Sequence, residues 1–267
     1  MARKPGSSDG TDLTPGEADL AVFSREPVFP PAKVQRVLDA VAMLQAQRSR
    51  LAAAVSRGTV PHTRLVGRGA IEINRWMTRG VRDWHDLLSV RPWGRVDELR
   101  VSLPLNREFV AAGNRMVSVF DYDSTTPQAR LLLGGEQSSR YLFAHAPVQL
   151  KIVDRTQVLL AGPVMDGEQT VMLTTNANCL ASALAYWRAV LDCSFPCSKA
   201  PECVPDLTDR QRQIVAYLSA DVSDEQIATA IGVSVRTVRS EIARAMATLG
   251  VQSRFSLGSA VNERLRV

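Results

Sequence analysis

Lysine is nearly absent from this 267-residue chain, with 4 lysines against 28 arginines. That bias reads as a high-GC coding preference, so the net charge of +5 supports a nucleic-acid partner only weakly. No run approaches the roughly eighteen apolar residues that a membrane-spanning helix needs, and no membrane partner is expected. The opening stretch MARKPGSSDGTDLTPGEADL has no apolar core after its basic start, so no secretory signal is read there and the cytoplasm is the expected compartment. Cysteine is scarce as well. Cys179, Cys193, Cys197 and Cys203 form no C-x-x-C pair and have no histidine near them, which argues against structural zinc. Reduced thiols are expected, with a redox switch among Cys193, Cys197 and Cys203 left as the alternative because their spacing is short and the segment is proline-rich. Neither a metal nor a cofactor is implied.

What the chain does have is concentrated at its C-terminal end. In residues 207–251 the apolar residues Ile214, Val215 and Leu218, then Ile227, Ile231 and Val233, then Val238, Ile242, Met246 and Leu249 recur at three- and four-residue steps. Three helices are predicted, each burying one stripe in a shared core. Between the second and third lies Ala230-Ile231-Gly232-Val233-Ser234, where Gly232 suits the positive φ of a tight turn and Ser234 suits the cap of the next helix. With Ser234 as cap, Arg236, Thr237, Arg239, Ser240, Ala243, Arg244 and Ala247 face outward, and Glu241 is the one acid on that helix. Arginines that reach phosphates or guanine edges, beside small residues that permit close approach, are what a helix entering a major groove requires. An ordinary solvated arginine face is the plain alternative, and the turn and capping pattern counts against it. Residues 206–267 carry eight basic and seven acidic side chains, so any DNA affinity must come from how charge is laid out on one face.

This segment resembles the LuxR/GerE type of DNA-binding domain. The resemblance rests on Leu207, Thr208, Arg210, Val215, Ile227, Ala228, Gly232, Val233, Ser234, Thr237, Val238, Arg239, Leu249, Gly250, Val251, Ser253 and Arg254. Gln211 and Gln213 stand where the family favours glutamates, and Glu241 where a histidine is common. The resemblance implies base contacts from Arg239, Ser240 and Ala243. It places phosphate contacts on Ser223, Ser234, Arg236, Thr237 and Arg254, and Arg244 is added to these from its outward position. It further implies a dimerisation helix from Ser253 through Leu265, with Phe255, Leu257, Ala260, Val261 and Leu265 apolar.

The preceding two hundred or so residues form something else. Residues 1–30 are rich in Gly, Ser, Asp and Pro and read as a disordered arm. A helix follows over 31–58, opened by Pro30-Pro31, in which Val34, Leu38, Val41, Leu44, Leu51 and Val55 make a near-heptad stripe interrupted by Arg48. It either zips two chains together or packs on its own domain. Over 65–195 helices interleave with β-branched runs. The reading there is an amphipathic stretch near Gly69–Arg79, a stretch Val96–Leu103, and helices near Leu105–Ala112, Pro127–Leu133 and Ala177–Asp192. Strands are predicted at Met116–Tyr122, Arg140–Ala144, Gln149–Val153, Gln157–Ala161 and Thr170–Thr174, with Asp154-Arg155-Thr156 turning a hairpin. Residues 196–205 read as a linker. The fold class is therefore an α/β N-terminal sensor-like domain plus an all-α, four-helix C-terminal helix-turn-helix domain.

The 65–195 stretch resembles the phospholipase-D-like sensor domain of TrmB-type regulators through Ala111–Val117, Pro147–Arg155 and the closing helix with Tyr186, Trp187 and Phe195. Enzymes of that fold need H-x-K-x4-D. Counting back from Asp154 puts Gln149 at the lysine and Pro147 at the histidine, and neither can do that work; His145 and Lys151 are wrongly spaced. The domain is thus expected to be non-catalytic, and Asp154 to be a turn residue. A phosphorylation receiver is not supported, because Asp121 and Asp123 flank a strand end without the ordered remainder such a site needs. An acyl-lactone clamp is not supported by the contexts of Trp76, Trp84 and Trp93. The expected protein is a sequence-specific regulator, activator or repressor, binding double-stranded promoter DNA as a homodimer, since one module contacts too few base pairs for selectivity. An unidentified small-molecule or protein effector, and RNA polymerase, are the further partners this reading allows. An adaptor tethered to DNA, or a phosphodiesterase anchored on it, is the alternative.

Overall fold

The computed structural model describes residues 28–58, 60–136, 140–200, 204 and 206–265. Residues 1–27 of the stretch 1–30 expected to be an arm, and Cys203, lie outside the described residues.

An eight-stranded sheet organises the N-terminal region. Its strands are β1 (Thr63–Arg68), β2 (Asp86–Arg91), β3 (Arg115–Asp121), β4 (Tyr141–Ala144), β5 (Leu150–Val153), β6 (Gln157–Ala161), β7 (Thr170–Thr174) and β8 (Phe195–Pro196), in the spatial order β1-β7-β6-β5-β2-β3-β4-β8. The pairs β2–β3 and β3–β4 are parallel and the remaining ones antiparallel. The parallel pairs require crossovers, and helices α3 (Val96–Ala111) and α4 (Pro127–Gly134) provide them. The predicted hairpin is present: Asp154 and Arg155 take φ of 50° and 56°, and Val153 pairs with Gln157. Asp154 also ties the hairpin tip to the start of β2, its Oδ1 accepting from the amides of His85 (2.9 Å) and Asp86 (2.8 Å).

Three strands, β1, β2 and the two-residue β8, are additions to the sequence reading. Strand β2 lies in the middle of the sheet with Asp86 through Val90 all buried, so it shows no polar alternation by which to find it. Strand β1 is an edge strand whose partner β7 lies more than a hundred residues away in sequence. The stretch Val96–Leu103 and the helix around Leu105–Ala112 are one helix with Pro104 inside it. An interior proline costs about 3 kcal/mol. Burial of Leu99, Leu103 and Phe109 on one face offsets that cost.

Helix α1 (Pro31–Ser56) packs along α5 (Ala177–Asp192) of the same chain. Within the chain this helix therefore lies against another helix more than against the sheet. The stripe is also displaced from the near-heptad: Val37, Ala40, Leu44 and Leu51 are buried, whereas Leu38 is exposed. Arg36 Nη2 closes one end by pairing with Asp192 Oδ2 at 2.6 Å. Helix α2 (Gly69–Gly80) covers β1, and Trp76 leans on the buried Trp84 with ring centroids 6.1 Å apart. Phe29, within the stretch expected to be a disordered arm, is buried and stacks with Tyr122 and Phe195. The expected linker begins inside the fold, since Pro196 lies in β8 and Cys197, Ala200 and Val204 are buried. Burial pushes the Cys179 thiol up to about 11 and raises that of Cys193, so both are held as thiols.

Four helices complete the chain: α6 (Asp209–Leu218), α7 (Asp224–Ile231), α8 (Val235–Leu249) and α9 (Arg254–Leu265). They are docked on the α/β region, with α4 against α6 and α3 against α7. A Cβ at Gly135 would lie 2.5 Å from the Asp209 carbonyl oxygen and 2.7 Å from Gln213 Cγ, so only glycine lets these backbones approach so closely. Arg107 Nη1 donates to the Ala230 carbonyl at the end of α7 (2.7 Å), and the same guanidinium pairs with Glu136. Gln213 Nε2 also donates to Glu136, at 2.8 Å. Among the described residues no helix is long and apolar enough to cross a membrane.

Candidate nucleic-acid interface

Short polar side chains set the boundaries of α6, α7 and α8. Thr208 and Ser223 each close a capping box, with Gln211 and Gln226 respectively, so the Gln211 that departs from the family pattern does the work a glutamate would do. Gly232 takes φ of 69° and ends α7, and Ser234 Oγ accepts from the Thr237 amide at 3.1 Å to begin α8. The predicted turn and cap are both present.

Helix α8 is anchored by Val238, Ile242 and Ala245, all buried, with Met246 and Leu249 partly covered. Ala245 lies outside the predicted inward stripe; it falls one step before Met246, where the stripe drifts round a 3.6-residue helix. Opposite this stripe Arg236, Arg239, Ser240, Ala243, Arg244 and Ala247 are exposed, and Thr237 is partly so. Ser223 and Ser234 are exposed at the starts of α7 and α8. The side chain of Arg254, at the start of α9, is 49% exposed.

The arginines are not equally free. Asp224, in the first turn of α7 and almost fully buried, receives two of them. Arg254 grips it with a two-pronged fork, Nη1 to Oδ1 at 2.9 Å and Nη2 to Oδ2 at 3.1 Å, while Arg239 Nε donates to Oδ2 at 3.0 Å. This carboxylate aims the guanidinium of Arg239 without covering it, for that side chain remains 63% exposed. Sequence reasoning missed Asp224, because an acid at a helix start has an adequate local reason in the helix dipole. Glu241 is turned aside, Oε2 accepting from Gln211 Nε2 (3.1 Å) and Oε1 from Arg244 Nη1 (3.0 Å), so it does not oppose an anion at Arg236 or Arg239. Arg236 makes no ion pair among the described residues.

The hydrogen bond from Arg254, opposed by desolvation and reinforced by Arg239, holds the Asp224 carboxyl below its ordinary value of 3.8. A depressed carboxyl contributes stability that is present above the unfolded value and lost as the pH falls through the folded one. Asp224→Asn is expected to lower stability by about 1–3 kcal/mol at pH 7. In urea unfolding, the gap from the parent should narrow as the pH is taken below 3.8. A gap that stays constant with pH would show that the arginine clamp is not its cause.

The groups that a phosphodiesterase reading would draw on each have a partner of their own. Lys151 Nζ donates to Ser89 Oγ at 3.2 Å, and desolvation with Arg91 nearby lowers its pKa to about 8. His145 Nδ1 lies 3.9 Å from Asp121 Oδ2, and the Asp154 carboxylate is engaged by backbone amides. Among the described residues no group of three or more His, Cys, Asp or Glu side chains is arranged to hold a metal ion.

Residues 205–259 match the GerE family model, described as bacterial regulatory proteins, luxR family. The chain carries a GerE-type helix-turn-helix domain there, which supports a DNA-binding transcription regulator. No curated protein matches the chain. Among solved structures, NucT from Helicobacter pylori is similar at a TM-score of 0.38 and 11% identity, over 50% of this chain and 98% of that one. A likeness that loose is without weight for the fold or the activity.

Proposed function

We propose that this chain is a sequence-specific regulator that binds promoter DNA as a homodimer, placing the outer face of α8 in the major groove. The observation that carries this is the face itself. Arg236, Arg239, Ser240, Ala243 and Ala247 stand exposed on a helix held by Val238, Ile242 and Ala245, and the polar contacts from the α/β region fall on Gln213 and Ala230 instead. Arg239, Ser240 and Ala243 are assigned to base edges; Ser223, Ser234, Arg236, Thr237, Arg244 and Arg254 are assigned to phosphates. Support for a dimer comes from α9, where Leu257 and Val261 are buried within the chain while Phe255 is 85% exposed and free to meet a second copy.

The α/β domain is read as a degenerate phospholipase-D-like unit for dimerisation or effector sensing, without catalysis. What supports this is the chemistry at the two decisive positions, where Pro147 and Gln149 supply neither a nucleophile nor a cation.

Chromatin immunoprecipitation sequencing of the parent chain beside Arg239→Ala, with transcripts measured in a deletion strain, tests the proposal. Expected are discrete parental peaks, near genes whose transcripts change, that are lost or broadened in the variant. Loss of one base-reading arginine should weaken specific binding by about 1–3 kcal/mol. Peaks unaffected by Arg239→Ala would mean that another protein does the targeting and that this chain is a tethered adaptor.

A further inference from the structure

We infer that the DNA contact does not end with the helix-turn-helix, and that Arg95 and Arg100 of the α/β domain hold phosphates of the duplex flanking the operator. The inference rests on the proposed function and extends it to a part of the chain with no assigned role in DNA binding.

Three contacts fix the two regions relative to one another: the approach of the Asp209–Gln213 turn of α6 to Gly135, the Arg107 hydrogen bond to the Ala230 carbonyl, and the convergence of Arg107 and Gln213 on Glu136. With the regions so held, the start of α3 stands beside the start of α7. A cleft of about 490 Å³ lies between them, lined by Arg95 and Arg100 on one side and by residues 219–222 and Gln226 on the other. Gln226 is the capping-box partner of Ser223, the residue assigned to a phosphate. A strand whose phosphate rests on Ser223 therefore passes the mouth of this cleft, and the next anionic groups along it meet the two arginines.

Charge pairing supports the assignment. Arg239 and Arg254 are engaged by Asp224, and Arg244 by Glu241. Arg95 and Arg100 make no ion pair or hydrogen bond through their side chains among the described residues, so their guanidinium groups are not tied up within the chain. Asp97 and Asp221 line the same cleft and oppose an anion there. Each of these has a structural reason to be acidic: Asp97 sits in the first turn of α3, where the helix dipole favours a carboxylate, and Asp221 takes the left-handed φ of 56° that aspartate tolerates in turns. The arginines have no such local reason.

The test uses the full chain and a genomic DNA fragment selected by the parent protein, with affinity measured across a salt series. Each phosphate neutralised contributes about 0.9 to the slope of log K against log salt. Arg95→Ala/Arg100→Ala is expected to weaken binding and flatten that slope by up to about 1.8, with the ratio of operator to scrambled-sequence affinity unchanged. Arg95→Lys/Arg100→Lys should keep most of the slope, and Asp97→Asn should tighten binding. A salt slope unchanged by the double alanine variant overturns the inference while leaving the regulator reading intact, provided that Arg239→Ala still abolishes discrimination. A parent chain that selects no DNA overturns both. If the double variant fails to melt like the parent, the single Arg95→Ala, at an exposed position, gives the same reading with half the change in slope.

Discussion

Arg107→Ala should uncouple the C-terminal helices from the α/β domain. Arg107 is the donor to the Ala230 carbonyl and the cationic partner of Glu136, whose side chain is only 6% exposed. Removing one member of a buried pair leaves the other desolvated and unpaired, which costs about 3–5 kcal/mol. The lower end of that range is expected here, because Arg107 is itself about a third exposed and Gln213 stays hydrogen-bonded to Glu136. The Ala230 carbonyl, one of the acceptors that α7 leaves open at its C-terminal end, loses its donor in the same step. Differential scanning calorimetry should show the parental transition split, the helix-turn-helix melting apart from the sheet domain. Limited proteolysis should begin to separate the two regions. Gly135→Ala reaches the same interface by a different route, since its methyl group would collide with the Asp209 carbonyl. If both variants melt as the parent does, the two regions are not held by these contacts, and the alignment of Arg95 and Arg100 with the start of α7 loses its basis.

Leu44→Ala should destabilise the α/β domain by about 2–5 kcal/mol, the range for emptying a filled core site. Leu44 is fully buried where α1 lies along α5, with Val37, Ala40 and Leu51 on the same face. Leu38→Ala, at a position 42% exposed on the same helix, should change stability by less than about 0.5 kcal/mol. The contrast decides how α1 is used. The near-heptad stripe that would zip two chains includes both leucines, so a coiled coil would lose stability at both positions, whereas packing on α5 predicts a loss at Leu44 alone. Denaturant unfolding at two protein concentrations reads this directly, because stability drawn from a zipper would depend on concentration. Equal losses at the two sites, with midpoints that shift with concentration, would overturn the packing of α1 on its own domain.

Where a residue's role is set by its near neighbours, the sequence is enough. Gly232 and Ser234 mark the turn between α7 and α8, the stripe Val238–Ile242 orients α8, and Asp154-Arg155 closes the β5–β6 hairpin. Each of these is a contest among residues within a few positions of one another, decided by φ preference, capping and helical period. The exposed arginines of α8 follow from the same period, which is why most of the candidate DNA face is legible in the amino-acid order alone. Tertiary structure decides the rest. Strand β2 leaves no readable pattern because sheet neighbours and helices bury it on both faces and erase its alternation. The buried side of α1 is chosen by α5, which selects Val37 and Ala40 over Leu38. The clamp of Arg239 and Arg254 on Asp224 spans 15 and 30 residues, and the reach of Arg107 to Ala230 spans 123. An ion pair or a hydrogen bond leaves no periodic trace in the chain, because its energy depends on distance in space and on exclusion of water, and both are set only when the elements pack.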